Sequence, residues 1–343
     1  MQLIYFRGMV SNFGDDLNTV LWPRLAPALF DGQPAEGFLG IGTIIGMPTP
    51  GCRMLHVFSS GAGYDALDTW ATPRRVWCVR GPLTAHLLGC KRDVVMTDGA
   101  ILAPDVLGRP SIGSAGDVVV VPHWESLRFG GWHEASDLAG FRLVSPIDTP
   151  ASVHSALASA RLVLTESLHG AILADTLGIP WTPFVSTRNV SAFKWVDWCL
   201  SVGVPFAPVS IAPPSVAAAL TFGRPDRGAW GRRRQVDAEA ALEEFRSRAA
   251  FRARVGAVRS PGLSNRVRKM VREAAQRSTL ASRLLGYMPA RTAALLAEAA
   301  REEGTLSRPT HREELRARML ERLHALAAAH APQHRHNFTV EAG

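Results

Sequence analysis

Short apolar runs alternate with helical spacing through the first 222 residues. Gln2–Phe6 predicts a strand, then a polar turn, then a helix over Asn18–Phe30. Phe38–Ile45 and Leu55–Phe58 are further apolar runs, the second closed by Ser59-Ser60-Gly61-Ala62-Gly63. Val76–Val79 predicts a strand, and Pro82 falls in the first turn of the next helix, where its missing N–H costs nothing. Val94–Thr97 predicts another strand. A second series begins near Asp117. The β-branched run Val118–Val121 suits a strand buried on both faces. Arg142–Val144 follows, then a helix capped by Thr149, with Pro150 at its first position, running to Ala160. Leu162–Thr165 predicts a strand, Leu168–Leu177 a helix stopped by Gly178, and Ile179–Val185 a strand.

Alternating strands and helices imply parallel sheets with crossover connections. The expected fold is α/β, with two Rossmann-like halves in a GT-B-like arrangement and a C-terminal helical extension. The halves span 1–112 and 113–222, joined near Arg109–Gly116. Residues 223–343 form an Arg/Ala-rich extension with helical patterns over Glu239–Arg254, Asn265–Leu285 and Leu306–Ala331 and a frayed, His-rich end. In such sheets ligands bind at the carboxyl ends of the strands.

The chain has 343 residues, 47% hydrophobic and 20% charged, which suits two globular domains. No apolar run reaches the roughly 18 residues a membrane span needs. The N-terminus has no signal-peptide pattern, so the expected location is cytoplasmic. Cys52, Cys78, Cys90 and Cys199 are scattered and read as free thiols. Residues 1–222 hold 14 Lys+Arg against 17 Asp+Glu; residues 223–343 hold 24 against 13. The net charge of +8 therefore belongs to the extension. With an acidic body and no recognition module, nucleic-acid binding is not expected.

Every chemical motif falls at the end of a predicted strand. The run Leu162 to Asp175 ends a strand at Thr165 and opens a helix at Leu168. Free N–H groups in a helix's first turn make an anion site. Ser167 either caps that helix or joins the site, Gly170 allows a ligand close, and His169 is either a titratable donor or a packing residue. Arg80, between a strand and a helix start, suits a phosphate or carboxylate through its planar fork, or else pairs with Asp98 or Asp93. Asn12, Gly14, Asp15 and Asp16, in the first βα turn, suit sugar hydroxyls, with either aspartate as a general base; capping by Asp15, Asp16 or Asn18 is the alternative. His123 follows a strand and is a candidate acid or anion ligand, with Trp124 beside it for stacking. No metal is expected, since no H-x-E-x-H, D-x-D or clustered Cys/His pattern appears.

Asn12-Phe13-Gly14-Asp15-Asp16, Val79-Arg80-Gly81-Pro82-Leu83-Thr84 and Ser167-Leu168-His169-Gly170 together resemble the polysaccharide pyruvyltransferase family over about residues 1–225. The resemblance implies phosphoenolpyruvate as co-substrate, with no cofactor. It implies transfer of pyruvate to two hydroxyls of a sugar, giving a cyclic ketal and phosphate. The first half then serves the acceptor and the second the donor. The family's (Arg/Ser)-Leu-His-Gly element carries its His role to His169, whereas an Arg role at its first position does not carry over to Ser167. Arg188 and Lys194 are the candidate replacements. The expected donor binders are Arg80, Ser167, His169 and the helix N-terminus, with His169 or His123 as acid and Asp15 or Asp16 as base. The basic run Asn265–Arg277 either lies on an anionic bilayer, suiting an acceptor linked to polyprenyl diphosphate at the inner membrane face, or packs across the halves. Alternative readings are a GT-B nucleotide-sugar glycosyltransferase, with Glu166 on a ribose, and a non-catalytic assembly scaffold. Oligomeric state is not fixed by the sequence.

Overall fold

Four parallel strands build the first sheet in the order β1 (Gln2–Ile4), β2 (Glu36–Leu39), β3 (Met54–Phe58) and β4 (Arg74–Cys78). Five build the second: β5 (Asp117–Val121), β6 (Arg142–Leu143), β7 (Ala160–Thr165), β8 (Trp181–Val185) and β9 (Val209–Ser210), in the order β6-β5-β7-β8-β9 and again all parallel. This computed structural model describes residues 1–30, 35–49, 51–64, 67, 70–109, 116–223, 227–257 and 279–330. The expected linker Arg109–Gly116 and the basic run Asn265–Arg277 fall largely or wholly outside the described residues, as does the His-rich end after His330.

The helices follow from local chemistry. α1 spans Phe13–Leu25, with the Asn12 side chain accepting from the Gly14 N–H at its N-terminus. It therefore begins five residues before the expected Asn18. The run Gly14-Asp15-Asp16, read as a turn, is a helix start: acidic residues in a first turn face the positive end of the helix dipole. α2 is Pro82–Leu87, α3 Ala103–Leu107, α4 Trp124–Leu127 and α5 Trp132–Ala139. α6 (Pro150–Ala158) is capped by Thr149, as its sequence predicts. α7 (Leu168–Leu177) has Ser167 as N-cap and left-handed Gly178 at its end. α8 is Ala192–Val202, α9 Val216–Phe222 and α10 Ala238–Ala257. After α11 (Thr279–Leu284) come α12 (Pro289–Ala299) and α13 (Pro309–His330). The strand expected at Val94–Thr97 is instead a 3-10 turn over Arg92–Val94 with a single parallel bridge from Val95 to Val79.

The halves share one apolar cluster, which runs from Phe13, Leu17 and Phe58 through Val119, Val163 and Ala171. α1 docks across it, its Phe13 N–H donating to the Pro146 carbonyl of the second half at 3.1 Å. The C-terminal helices close over both halves. Leu296 of α12 is buried in the second cluster with Trp132 and Phe184, while Leu315, Met319, Leu323 and Leu326 of α13 are buried in the shared cluster. Among the described residues, no helix is long and apolar enough to cross a membrane.

Candidate active site

The carboxyl ends of both sheets open onto one cavity of about 510 Å³. The first half contributes Phe6, Asn12, Asp15, Thr43 and Tyr64; the second contributes His123, Glu166, Ser167, His169 and Lys194. Arg248 and Arg252 of α10 complete the wall.

The floor is built by backbone geometry. Ser167 caps α7, its hydroxyl accepting from the Gly170 N–H at 3.3 Å, while also lining the cavity. Gly170 itself does not line the cavity; a Cβ there would lie 2.6 Å from the Thr165 hydroxyl, so that close approach accounts for the glycine rather than ligand access. Glu166, buried, accepts from the Ser186 N–H (2.8 Å), the Ser186 hydroxyl (2.6 Å) and the His123 N–H (3.1 Å). One carboxylate thus ties together the ends of β5, β7 and β8.

α1 brings Asp15 to the cavity and turns Asp16 away, where it accepts from the Ser11 hydroxyl. Asn12 donates to Asp15 at 3.0 Å. Burial raises the Asp15 carboxyl to about 7, against the opposing pull of Lys194. Gly14 is where α1 meets His169: an added Cβ would lie 2.0 Å from His169 Nδ1. His169 is buried to the extent that its pKa falls to about 3, with Arg80 and Lys194 adding to the effect. His123 is similarly lowered to about 3, first by burial and then by Lys194. Its Nδ1 faces two donors, Glu125 N–H and the Asn189 amide, both at 3.3 Å, so Nδ1 accepts and the ring proton resides on Nε2.

Arg80 lies beneath the cavity wall, fully buried. It donates to Thr43 Oγ1 at 2.9 Å and to the Ala62 carbonyl at 3.1 Å. Its ion pair is with Asp197 at 3.4 Å, not with Asp93 or Asp98. A Cβ on Gly61 would meet the guanidinium carbon at 2.2 Å, which explains the glycine-rich turn after β3. The two candidate replacement cations part company. Lys194 lines the cavity, hydrogen-bonded to the Tyr64 hydroxyl and 4.6 Å over its ring. Arg188 is exposed outside the cavity, and its carbonyl accepts from Arg248.

Arg248 and Arg252 escaped the sequence reading. On a helix of Arg, Ala and Glu they look like a solvated face. The packing of α10 on α8, through Phe245 against Phe193 at 4.9 Å, brings both to the cavity wall. Arg252 lies 5.0 Å over the same Tyr64 ring that Lys194 covers.

Residues 76–188 match the profile of the family described as polysaccharide pyruvyl transferase. The chain is also 31% identical over 260 residues to the succinoglycan biosynthesis protein ExoV of Rhizobium meliloti (strain 1021), covering 71% of this chain and 81% of that protein. The chain belongs to the polysaccharide pyruvyl transferase family. For this pyruvyl transferase the matched segment carries Arg80, Asp98, His123, Ser167 and His169, whereas Asp15, Lys194 and the α10 arginines lie outside it.

Proposed function

We propose that the enzyme moves pyruvate from phosphoenolpyruvate onto two hydroxyls of a sugar in a polysaccharide repeat, releasing phosphate and leaving a cyclic ketal. The observation that carries this is the meeting, in one cavity, of the α7 N-terminus, three cations (Lys194, Arg248, Arg252) and two proton-transfer candidates, Asp15 and His169. A compact trianionic donor needs such a surround. The similarity to a succinoglycan biosynthesis protein supports an exopolysaccharide acceptor. Phe6, on the loop after β1, is exposed and lines the cavity, which suits an acceptor carried on polyprenyl diphosphate at the inner membrane face.

The charge environment orders the proton transfers. A carboxyl held at about 7 retains a proton to give; an imidazole held neutral takes one. In this assignment Asp15 protonates C3 of the donor, which reverses the division of labour expected from the sequence. C2 becomes oxocarbenium-like and is attacked by the first hydroxyl, whose proton passes to His169. The C2–O bond to phosphate breaks, and His169 returns the proton to the departing phosphate. The second hydroxyl attacks C2 and its proton restores Asp15. Of the two hydroxyl protons, one ends on C3 and one on phosphate, so the step balances. Arg80, from below, contributes its field rather than a contact.

Thermal unfolding with phosphoenolpyruvate tests the reading. At about 100 times its dissociation constant the ligand stabilises the fold by about 2.7 kcal/mol. That shift should vanish in Lys194→Met. A shift with UDP- or GDP-sugars and none with phosphoenolpyruvate refutes it in favour of a glycosyltransferase.

A further inference from the structure

We propose that Asp98 is the positioning residue of His169, holding its proton on Nε2 so that Nδ1 faces the cavity as the proton acceptor. The inference deepens the proposed function and rests on its use of His169.

Asp98 follows the Val95 bridge and caps the 3-10 turn Gly99–Leu102, its Oδ1 accepting from the Ala100 N–H at 3.0 Å. That bond uses one oxygen only. The other, Oδ2, is fully buried with no hydrogen-bond partner, and so is His169 Nε2; the two face each other at 3.8 Å. Two neighbouring orphaned polar atoms, in a place closed to water, are expensive unless they bond to each other. The separation is slightly beyond hydrogen-bond length, and catalytic bonds of this kind commonly tighten when substrate arrives.

Nδ1, the other ring nitrogen, packs against the α1 backbone at Gly14, and the His169 ring lines the cavity together with Asn12 and Asp15. Phe13 meets the imidazole edge-on at 6.4 Å, which fixes the ring plane. The charged groups around the ring are Arg80 and Lys194, with Asp98 opposite and Asp15 across the cavity. Below, the single Arg80 guanidinium acts on two buried carboxylates, Asp98 and Asp197. Burial holds Asp98 raised to about 6, so near neutral pH it is ionised and able to accept from Nε2–H.

Asp98→Asn is a selective perturbation. Its Oδ1 preserves the cap on Ala100, since Asn caps as well as Asp. Its amide then donates toward Nε2, which drives the ring proton to Nδ1 and removes the acceptor from the cavity. The measurement is the ¹⁵N imidazole spectrum of the full-length protein, with and without phosphoenolpyruvate. The His169 signals are assigned by their loss in His169→Gln. The expected result is an Nε2–H tautomer in the native protein and Nδ1–H in Asp98→Asn. The variant's kcat should fall by about 10²-fold or more, with KM for phosphoenolpyruvate unchanged. An Nδ1–H native tautomer, or one unmoved by the substitution, overturns the inference, and the native spectrum decides this even if the variant misfolds. A switched tautomer with unaltered kcat also overturns it, by showing that His169 transfers no proton. If native protein neither binds nor consumes phosphoenolpyruvate while the tautomer switches as expected, the proposed reaction fails and the Asp98–His169 pairing stands.

Discussion

Gly14→Ala separates stability from catalysis at the contact between α1 and His169. A Cβ at residue 14 would lie 2.0 Å from His169 Nδ1, 2.4 Å from Cγ and 2.8 Å from Cβ. All three are distances that packed atoms do not adopt, so the imidazole must retreat by more than about 1 Å, because its own backbone is fixed by α7. Overpacking of this kind costs about 1–3 kcal/mol. Alanine's higher helix propensity offsets about 1 kcal/mol of that, since residue 14 lies in the first turn of α1. The net loss of stability is therefore small, about 0–2 kcal/mol. The loss of rate is not. A displacement of about 1 Å at a reacting group costs on the order of 10²-fold. Urea unfolding reports the first quantity, and phosphate release from phosphoenolpyruvate with acceptor present reports the second. A folded Gly14→Ala protein with kcat/KM within about threefold of the native value would refute the placement of His169 at the reacting centre.

Because Asp15 must carry a proton and titrates at about 7, kcat/KM should fall as pH rises through that value; Lys194 opposes the upward shift, so Lys194→Met should move the falling limb to higher pH, and a limb that rises instead would exclude Asp15 as the acid. Glu166→Gln leaves an amide facing at least one of the donors that now meet a carboxylate, and should cost about 1–3 kcal/mol in urea unfolding. Leu323→Ala empties a fully buried site under α13 and should lower the main unfolding transition by about 2–5 kcal/mol; an unmoved transition would mean that α13 folds apart from the body. Arg248→Ala removes donors from the Arg188 and Val190 carbonyls, both at 2.9 Å, and should raise KM for phosphoenolpyruvate at least tenfold while unfolding shifts by only about 1 kcal/mol.

What was legible in the sequence was what local chemistry decides. Ser167 and Gly178 bracket α7 in the structure at the positions their capping chemistry predicts, because both ends are set within one turn of chain. The buried Val118–Val121 strand followed from β-branched residues alone. α1 misled because its first turn is polar and contains glycine, features shared by turns; its true reason for Gly14 is a tertiary contact with a residue 155 positions away. The same limit hid the partners of Arg80. Nothing near Asp197 in sequence marks it as the ion pair of Arg80 and the acceptor for Thr84, since it arrives on α8. Val94–Thr97 had strand composition but only one bridge to make, because β4 has no further length to pair with.

Serine rather than arginine before Leu168 and the reach of α10 bear on one question, the source of positive charge in the cavity. Ser167 serves as a cap, a bond that arginine would forfeit at a cost of about 1 kcal/mol. In the proposed reaction the positive charge for the donor comes instead from Lys194 and from Arg248 and Arg252 of α10, all beyond the segment matched to the family. A cation delivered by a distant helix is useful only if the helix is fixed. Glu244 of α10 accepts from the Ala192 N–H at 3.0 Å, capping α8, and Arg248 pairs with that same Glu244 at 2.9 Å while holding the chain after β8. Ala241 and Phe245 bury the other face in the shared core. Cap, ion pair and apolar anchor all fall on the three turns that precede Arg252, so the extension forms part of the cavity wall, and if the proposed donor assignment holds, its removal should abolish phosphoenolpyruvate binding along with part of the fold's stability.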